Sequence, residues 1–229
     1  MSLLALFDVD GTLFLTHDPL AGEALEATLE ASYPVRLSSD PMAGIDHAGQ
    51  TSLRIARLVL RNACLGDEEI DGRLADWCTA FSDRYLELLA DTATSSWEAA
   101  PGAADALSRA EACGVRTVLL TGNPEPVARA RMERLGLAQF FPAGQGAFGC
   151  EAESRGELVR IARERAGGWP AAQTVEIGDT LRDVDTAHDA GIRSIIVPSS
   201  RTAEEHAARA DAVCRDLDGA AAQLLAWSG

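Results

Sequence analysis

Lysine is absent: the 20 basic residues of this 229-residue chain are all arginine. No reaction step can therefore run through a lysine Schiff base. Positive charge is scarce too, with 35 acidic residues against those 20 and a formal charge of −15 at pH 7. Nucleic acid and anionic membranes attract basic surfaces, so neither is expected as a partner. No apolar run approaches the roughly 18 residues of a membrane span. The first run, Leu3 to Phe7, has no basic segment before it and is cut short by Asp8, unlike a secretion signal. The cysteines, at 64, 78, 113, 150 and 214, are odd in number and contain no Cys-X-X-Cys pair. Neither a disulfide framework nor a zinc site is expected, and a reducing cytoplasm fits.

What is present is organised around the N-terminus. Leu3-Leu4-Ala5-Leu6-Phe7 is too short for a helix and too continuous for a half-exposed strand, which predicts a strand buried on both faces. Two carboxylates stand where it runs out, in Asp8-Val9-Asp10-Gly11-Thr12-Leu13. An extended backbone puts Asp8 and Asp10 on one side, and Gly11 permits an immediate turn. Like charges that close are costly unless a cation or a shared proton compensates. The pair reads as a divalent-metal site with one carboxylate free to attack, rather than as a plain acidic turn.

Helical patterns fill the next stretch, over Pro19 to Ala31, Gly49 to Leu65 and Asp67 to Leu89. Trp77, Phe81 and Tyr85 recur at helical spacing and read as the core of a small bundle. A helix from Ala103 to Cys113 precedes a buried strand, Val115 to Leu120, that ends in Thr121-Gly122-Asn123-Pro124. A hydroxyl and open backbone N–H groups at such a turn suit an anion. Helices follow over Glu125 to Leu135 and Leu158 to Ala166, with a short strand over Gly144 to Phe148. A strand over Gln173 to Gly178 then delivers Asp179 and, four residues on, Asp183. That spacing returns Asp183 to the side of Asp179 and turns Asp185 away. A strand over Ile192 to Val197, a short edge strand over Asp211 to Cys214 and a helix over Leu217 to Trp227 close the chain.

The hexapeptide at Asp8 resembles the first motif of the haloacid dehalogenase-like hydrolase superfamily, Asp-X-Asp-Gly-Thr, and the later motifs follow in that family's order. The resemblance implies an α/β fold: a Rossmann-like parallel sheet with helices on both faces, formed by residues 1–15 and 97–229, plus an α-helical cap over 16–96. It implies Asp8 as a nucleophile forming an aspartyl-phosphate and Asp10 as general acid/base. Thr121, with Gly122 and Asn123, would hold phosphoryl oxygens. The third motif, a Lys or Arg that pairs with the nucleophile, must here be an Arg; Arg155, near a helix start, is preferred to Arg160, which lies further along and faces solvent. Mg²⁺ would be held by Asp8, the carbonyl of Asp10 and Asp179, with Asp183 acting through water or backbone.

The implied activity is Mg²⁺-dependent hydrolysis of small phosphate monoesters, as in phosphoglycolate phosphatase-like members. The enzyme would act on a small phosphorylated metabolite in the cytoplasm, as a monomer or homodimer. A β-phosphoglucomutase-like phosphotransferase shares the same motifs and stays an alternative, as does a binding protein with a silent site. The lack of lysine counts against Schiff-base members of the family, and Asp10 with Asp179 against metal-free dehalogenases. The segment Ala43 to Thr51 resembles the substrate-facing cap loop, so Gln50, Thr51 and Arg54 are candidates for meeting a second anionic group. His47 and His17 read as a loop bystander and a hinge residue.

Overall fold

The computed structural model describes residues 2–199 and 209–229. The strands are β1 (Leu4–Phe7), β2 (Arg116–Thr121), β3 (Ala147–Phe148), β4 (Thr174–Gly178), β5 (Arg193–Ile196) and β6 (Ala212–Val213). They form a single parallel sheet in the order β3-β2-β1-β4-β5-β6. The helices are α1 (Pro19–Ser32), α2 (Ser52–Asn62), α3 (Asp67–Asp71), α4 (Leu74–Ala90), α5 (Ala103–Ala112), α6 (Glu125–Arg134), α7 (Arg155–Arg165), α8 (Leu181–Asp189) and α9 (Leu217–Ser228). Among the described residues no helix is long and apolar enough to cross a membrane.

The apolar N-terminal run lies at the centre of the sheet, between β2 and β4, where both faces must be covered. Its side chains alternate accordingly. Leu3, Ala5 and Phe7 pack on one face with Leu107 of α5 and Leu224 of α9, whereas Leu4 and Leu6 pack on the other with Leu158, Val159 and Ala162 of α7. The sheet with helices on both faces is therefore the α/β, Rossmann-like architecture expected from the sequence. The order places β1 and β4 side by side, so both deliver their following residues to one edge. In such sheets that edge, at the carboxyl ends of the strands, is the binding crevice.

Helices α1 to α4 sit between β1 and α5 and surround an apolar cluster of their own, with Leu29, Leu60, Ile70, Trp77 and Tyr85 at its centre. Trp77 stacks on Phe81 with ring centroids 5.3 Å apart, and its Nε1–H donates to Thr28 Oγ1 at 3.0 Å. The stripe is core, as its spacing implies, although Phe81 also borders the cavity described below. The chain enters and leaves this insertion along two adjacent segments, tied by Leu15 N–H to Glu98 O and Ala100 N–H to Leu13 O, each at 3.0 Å.

The structure corrects two expectations here. Residues 67–89 form two helices, because Gly72 favours the helical state weakly and Arg73 leaves it, with φ −134°. Arg73 Nη1 donates to Ser32 O at 2.7 Å, which holds the corner. Secondly, Cys78 of α4 and Cys150 after β3 are disulfide-bonded, with Cα atoms 6.0 Å apart across a sequence separation of 72. Cysteine spacing could not reveal this pair, since only folding brings the two segments together. The bond ties the helical insertion to the sheet-bearing part.

Candidate active site

Asp8 directly follows β1 and is 4% exposed; its backbone N–H donates to Ile177 O at 2.9 Å, continuing the sheet ladder. Gly11, at φ 85°, turns the chain back so that its N–H meets Phe14 O at 2.8 Å. Asp179 follows β4 and is fully buried. Asp183 lies in the first turn of α8, where Oδ2 accepts from Thr180 N–H at 2.8 Å and Thr180 Oγ1 at 2.6 Å, a capping box. A side chain at Gly178 would collide with the Asp183 carboxylate, so only glycine lets α8 approach this closely. Asp8, Asp179 and Asp183 each offer a carboxylate oxygen, and these atoms lie within 4.8 Å of one another. Asp185 turns away to pair with Arg209.

Among the described residues a single buried cation serves this group. Arg155 opens α7 with a side chain only 4% exposed. Its Nη2 donates to Asp183 Oδ1 at 2.7 Å and to Glu176 Oε1 at 3.1 Å, and Nη1 stands 3.6 Å from Asp8 Oδ1. Arg160 is 52% exposed and paired with Glu157 and Glu164. Of the two arginines, Arg155 is the one that reaches the crevice. The helix begins at Arg155 rather than at Leu158, which puts this residue in the first turn, facing the sheet.

The electrostatics follow from burial. Asp8 is pushed well above the usual carboxylate range by loss of solvation, then by Asp183, with Arg155 opposing and Asp179 and Asp10 adding to the rise. Glu176 is pushed up in the same way, by burial first and with Arg155 opposing. Among the described residues, one guanidinium thus opposes several crowded acidic groups. The donor set is oxygen only, compact and anionic, which fits a hard divalent cation such as Mg²⁺ and does not fit a thiophilic metal.

Above Asp8 lies a cavity of about 820 Å³ between the sheet edge and the helical insertion. Asp8, Asp10, Gly122, Asn123 and Arg155 border it from the sheet side. Thr121, fully buried at the end of β2, is not on its wall; Oγ1 accepts from Asn123 N–H at 3.3 Å and Nδ2 at 3.0 Å. Gly122 is a contact point for the insertion, because Ser52 N–H and Oγ donate to its carbonyl at 2.8 and 2.9 Å. A Cβ on Gly122 would strike the Gln50 carbonyl.

From the insertion, Gln50, His47, His17, Leu25, Met42, Ile55 and Phe81 reach the cavity. Thr51 and Arg54 do not, which corrects their placement as substrate-facing groups. Thr51 is fully buried and caps α2, accepting from Arg54 N–H at 3.2 Å and donating to Glu153 O at 3.1 Å. Arg54 turns toward Glu153, 3.7 Å away. The start of α2 is thus used to seat the insertion, with Ser52 N–H on Gly122 O and Leu53 N–H on Gly149 O.

Sequence reasoning missed Glu176 and Arg131. A lone carboxylate inside the buried run Thr174-Val175-Glu176-Ile177 is itself a signal that a buried cation lies opposite. Arg131 sits between the buried Val127, Ala128 and Met132 on α6 and is 2% exposed. Its helical phase was legible, but its partners were not.

The family model for haloacid dehalogenase-like hydrolases matches residues 3–191. The chain belongs to that family, and with it the fold and site define an enzyme, a hydrolase of the phosphatase kind. It is 29% identical to protein CbbY of Rhodobacter capsulatus, over 98% of each chain, and 29% identical to phosphoglycolate phosphatase of Mesorhizobium japonicum, over 85% of this chain and 82% of that one. Its fold is similar to the crystal structure of CbbY from Rhodobacter sphaeroides in complex with phosphate, with TM-score 0.71 and 24% identity over 95% of this chain and 96% of that one.

Proposed function

We propose that this chain is a Mg²⁺-dependent phosphatase of small phosphate monoesters that works through an aspartyl-phosphate on Asp8. The observation that carries the reading is the meeting of Asp8, Asp179 and Asp183, from β1, β4 and α8, around the buried Arg155. Residues 1–15 and 97–229 act as the core domain and 16–96 as a cap that closes over the cavity. Asp8, Asp179 and Asp183, with the carbonyl of Asp10, would hold the ion. When bound, it supplies charge neutralisation at the phosphoryl oxygens.

Phosphoryl transfer asks for positioning and charge more than for covalent chemistry from its surroundings. Asp8 attacks phosphorus as the bond to the leaving oxygen breaks, and Asp10 gives that oxygen a proton. In the second half, Asp10 takes a proton from the attacking water, phosphate leaves and the Asp8 carboxylate returns. Arg155 leans toward the nucleophile and would face an equatorial oxygen, while Gly122 and Asn123 border the opposite side and Thr121 supports Asn123 from behind the wall. Gln50 and His47 are among the polar groups that the cap offers to the remainder of the substrate. The cavity volume suits a metabolite of sugar-phosphate size, and the relatives named phosphoglycolate phosphatase make that ester a first candidate.

The test is a panel of phosphorylated metabolites assayed for inorganic phosphate. Release that needs Mg²⁺, stops with EDTA and is lost in Asp8→Asn supports the reading. Activity that survives chelation or Asp8→Asn overturns it, and isomerised sugar phosphate in place of free phosphate identifies a mutase instead.

A further inference from the structure

One buried charge beside the site has no part in the mechanism above. Arg131 of α6 lies with its guanidinium over the rings of Phe14 and Tyr85, 5.1 and 5.4 Å from their centroids. Nη1 donates to Asp10 Oδ1 at 2.9 Å and to Asn123 Oδ1 at 3.1 Å, Nη2 to Asp18 Oδ2 at 2.8 Å, and Nε to Tyr85 OH at 3.1 Å. Tyr85 OH donates in turn to Asp18 Oδ2 at 2.6 Å. Asn123 Nδ2 donates to the other oxygen of Asp10 at 2.5 Å.

The partners divide into two sets. Asp10 and Asn123 belong to the sheet side of the cavity. Asp18 caps α1, where Oδ1 accepts from Leu20 N–H at 3.0 Å, and Tyr85 belongs to α4, so both belong to the helical insertion. Arg131 is the joint between them. A planar fork with donors on several sides can meet such fixed acceptors at once, which a point-charge ammonium cannot. Neutralising Asp18, whose side chain is 3% exposed, would occupy one terminal nitrogen. The other is aimed at Asp10, whose side chain is 40% exposed.

We propose that Arg131 is a positioning residue for Asp10. With Asn123 it fixes the rotation of the carboxyl group, and through Asp18 and Tyr85 it ties that rotation to the seat of the helical insertion. This rests on the phosphatase reading and adds a residue to it. The proton that Asp10 delivers matters most when the leaving group is a poor one. An alkyl phosphate expels an alkoxide as Asp8 attacks and needs that proton, whereas 2,4-dinitrophenyl phosphate expels a stable phenolate and does not.

The experiment compares kcat/KM for the alkyl phosphate that the wild type hydrolyses best with kcat/KM for 2,4-dinitrophenyl phosphate, with Mg²⁺ present. A well-placed general acid contributes on the order of 10²- to 10⁴-fold. Arg131→Met is expected to lower the alkyl value by about 100-fold and the dinitrophenyl value by at least tenfold less. Arg131→Lys, which keeps the charge without the fork, falls between. Tyr85→Phe, on the insertion, gives the same asymmetry at about threefold. A merely structural role lowers both esters alike; equal loss, or none, in Arg131→Met overturns the proposal. Should Arg131→Met not fold, Tyr85→Phe decides by the same comparison. A wild type that hydrolyses only the activated ester leaves no acid step to position and overturns this proposal alone. A wild type that hydrolyses neither overturns the phosphatase reading as well.

Discussion

Arg155 stands closer to Asp183 than to Asp8, with 2.7 Å for the first contact and 3.6 Å for the second. The guanidinium is therefore anchored on the helix-capping carboxylate and on Glu176 and only leans toward the nucleophile. Asp8 thus lies within reach of a positive charge without being locked by a short ion pair.

This arrangement makes Arg155 hard to replace. In Arg155→Ala three buried carboxyl groups lose their shared cation, and breaking such a pair costs about 3–5 kcal/mol. The melting temperature is expected to fall by many degrees, and turnover to fall with it. Arg155→Lys keeps the charge but contacts fewer of the three at once, so it should retain more stability than activity. Thermal melts and aryl phosphate assays on both variants check this.

The pH dependence of stability follows from Asp8 and Glu176. Burial raises both above their ordinary values of 3.8 and 4.5. The folded state therefore binds more protons than the unfolded one in the window above those values, and stability falls as pH rises through it. Metal-free protein should melt at a higher temperature near pH 5 than near pH 8, and Glu176→Gln should flatten the slope. Saturating Mg²⁺ should stabilise the protein most at the higher pH, because the cation and the proton compete for the same carboxylates.

Asp8→Asn removes the attacking oxygen while keeping the shape. Nucleophile deletions in enzymes that form covalent intermediates cost on the order of 10⁴-fold or more. Loss of that size with an unchanged far-ultraviolet spectrum is expected. Chelation should reproduce the loss in the wild type, and added Mg²⁺ should reverse it.

Substrate preference should respond to the cap residues by position. Gln50 borders the cavity and Arg54 does not. Gln50→Ala is therefore expected to reorder a metabolite panel by several-fold in kcat/KM, whereas Arg54→Ala, which removes the contact with Glu153, should leave the order intact. An order that follows Arg54 instead would place the recognising surface elsewhere.

The disulfide between Cys78 and Cys150 leaves Cys64, Cys113 and Cys214 as free thiols. Thiol titration of the unfolded, unreduced protein should count those three, and five after reduction. A cross-link of this span typically stabilises by about 2–4 kcal/mol, so reduction or Cys150→Ser should lower the melting temperature.

The sequence alone determined the central strand, because five consecutive apolar residues ending in two aspartates allow little else. It also determined the placing of Asp8, Asp179 and Asp183, since strand ends and a four-residue helical step are local rules. It narrowed the cation to Arg155 or Arg160, as lysine is missing. A place near a helix start favoured Arg155, and the tertiary structure buries that residue against Glu176 and exposes Arg160. Tertiary structure alone also joined Cys78 to Cys150, turned Arg54 from the cavity to Glu153, and set Arg131 between Asp10 and Asp18. In each case the partner lies far along the chain, and distance between such partners is fixed by how helices pack on the sheet, which no local pattern encodes.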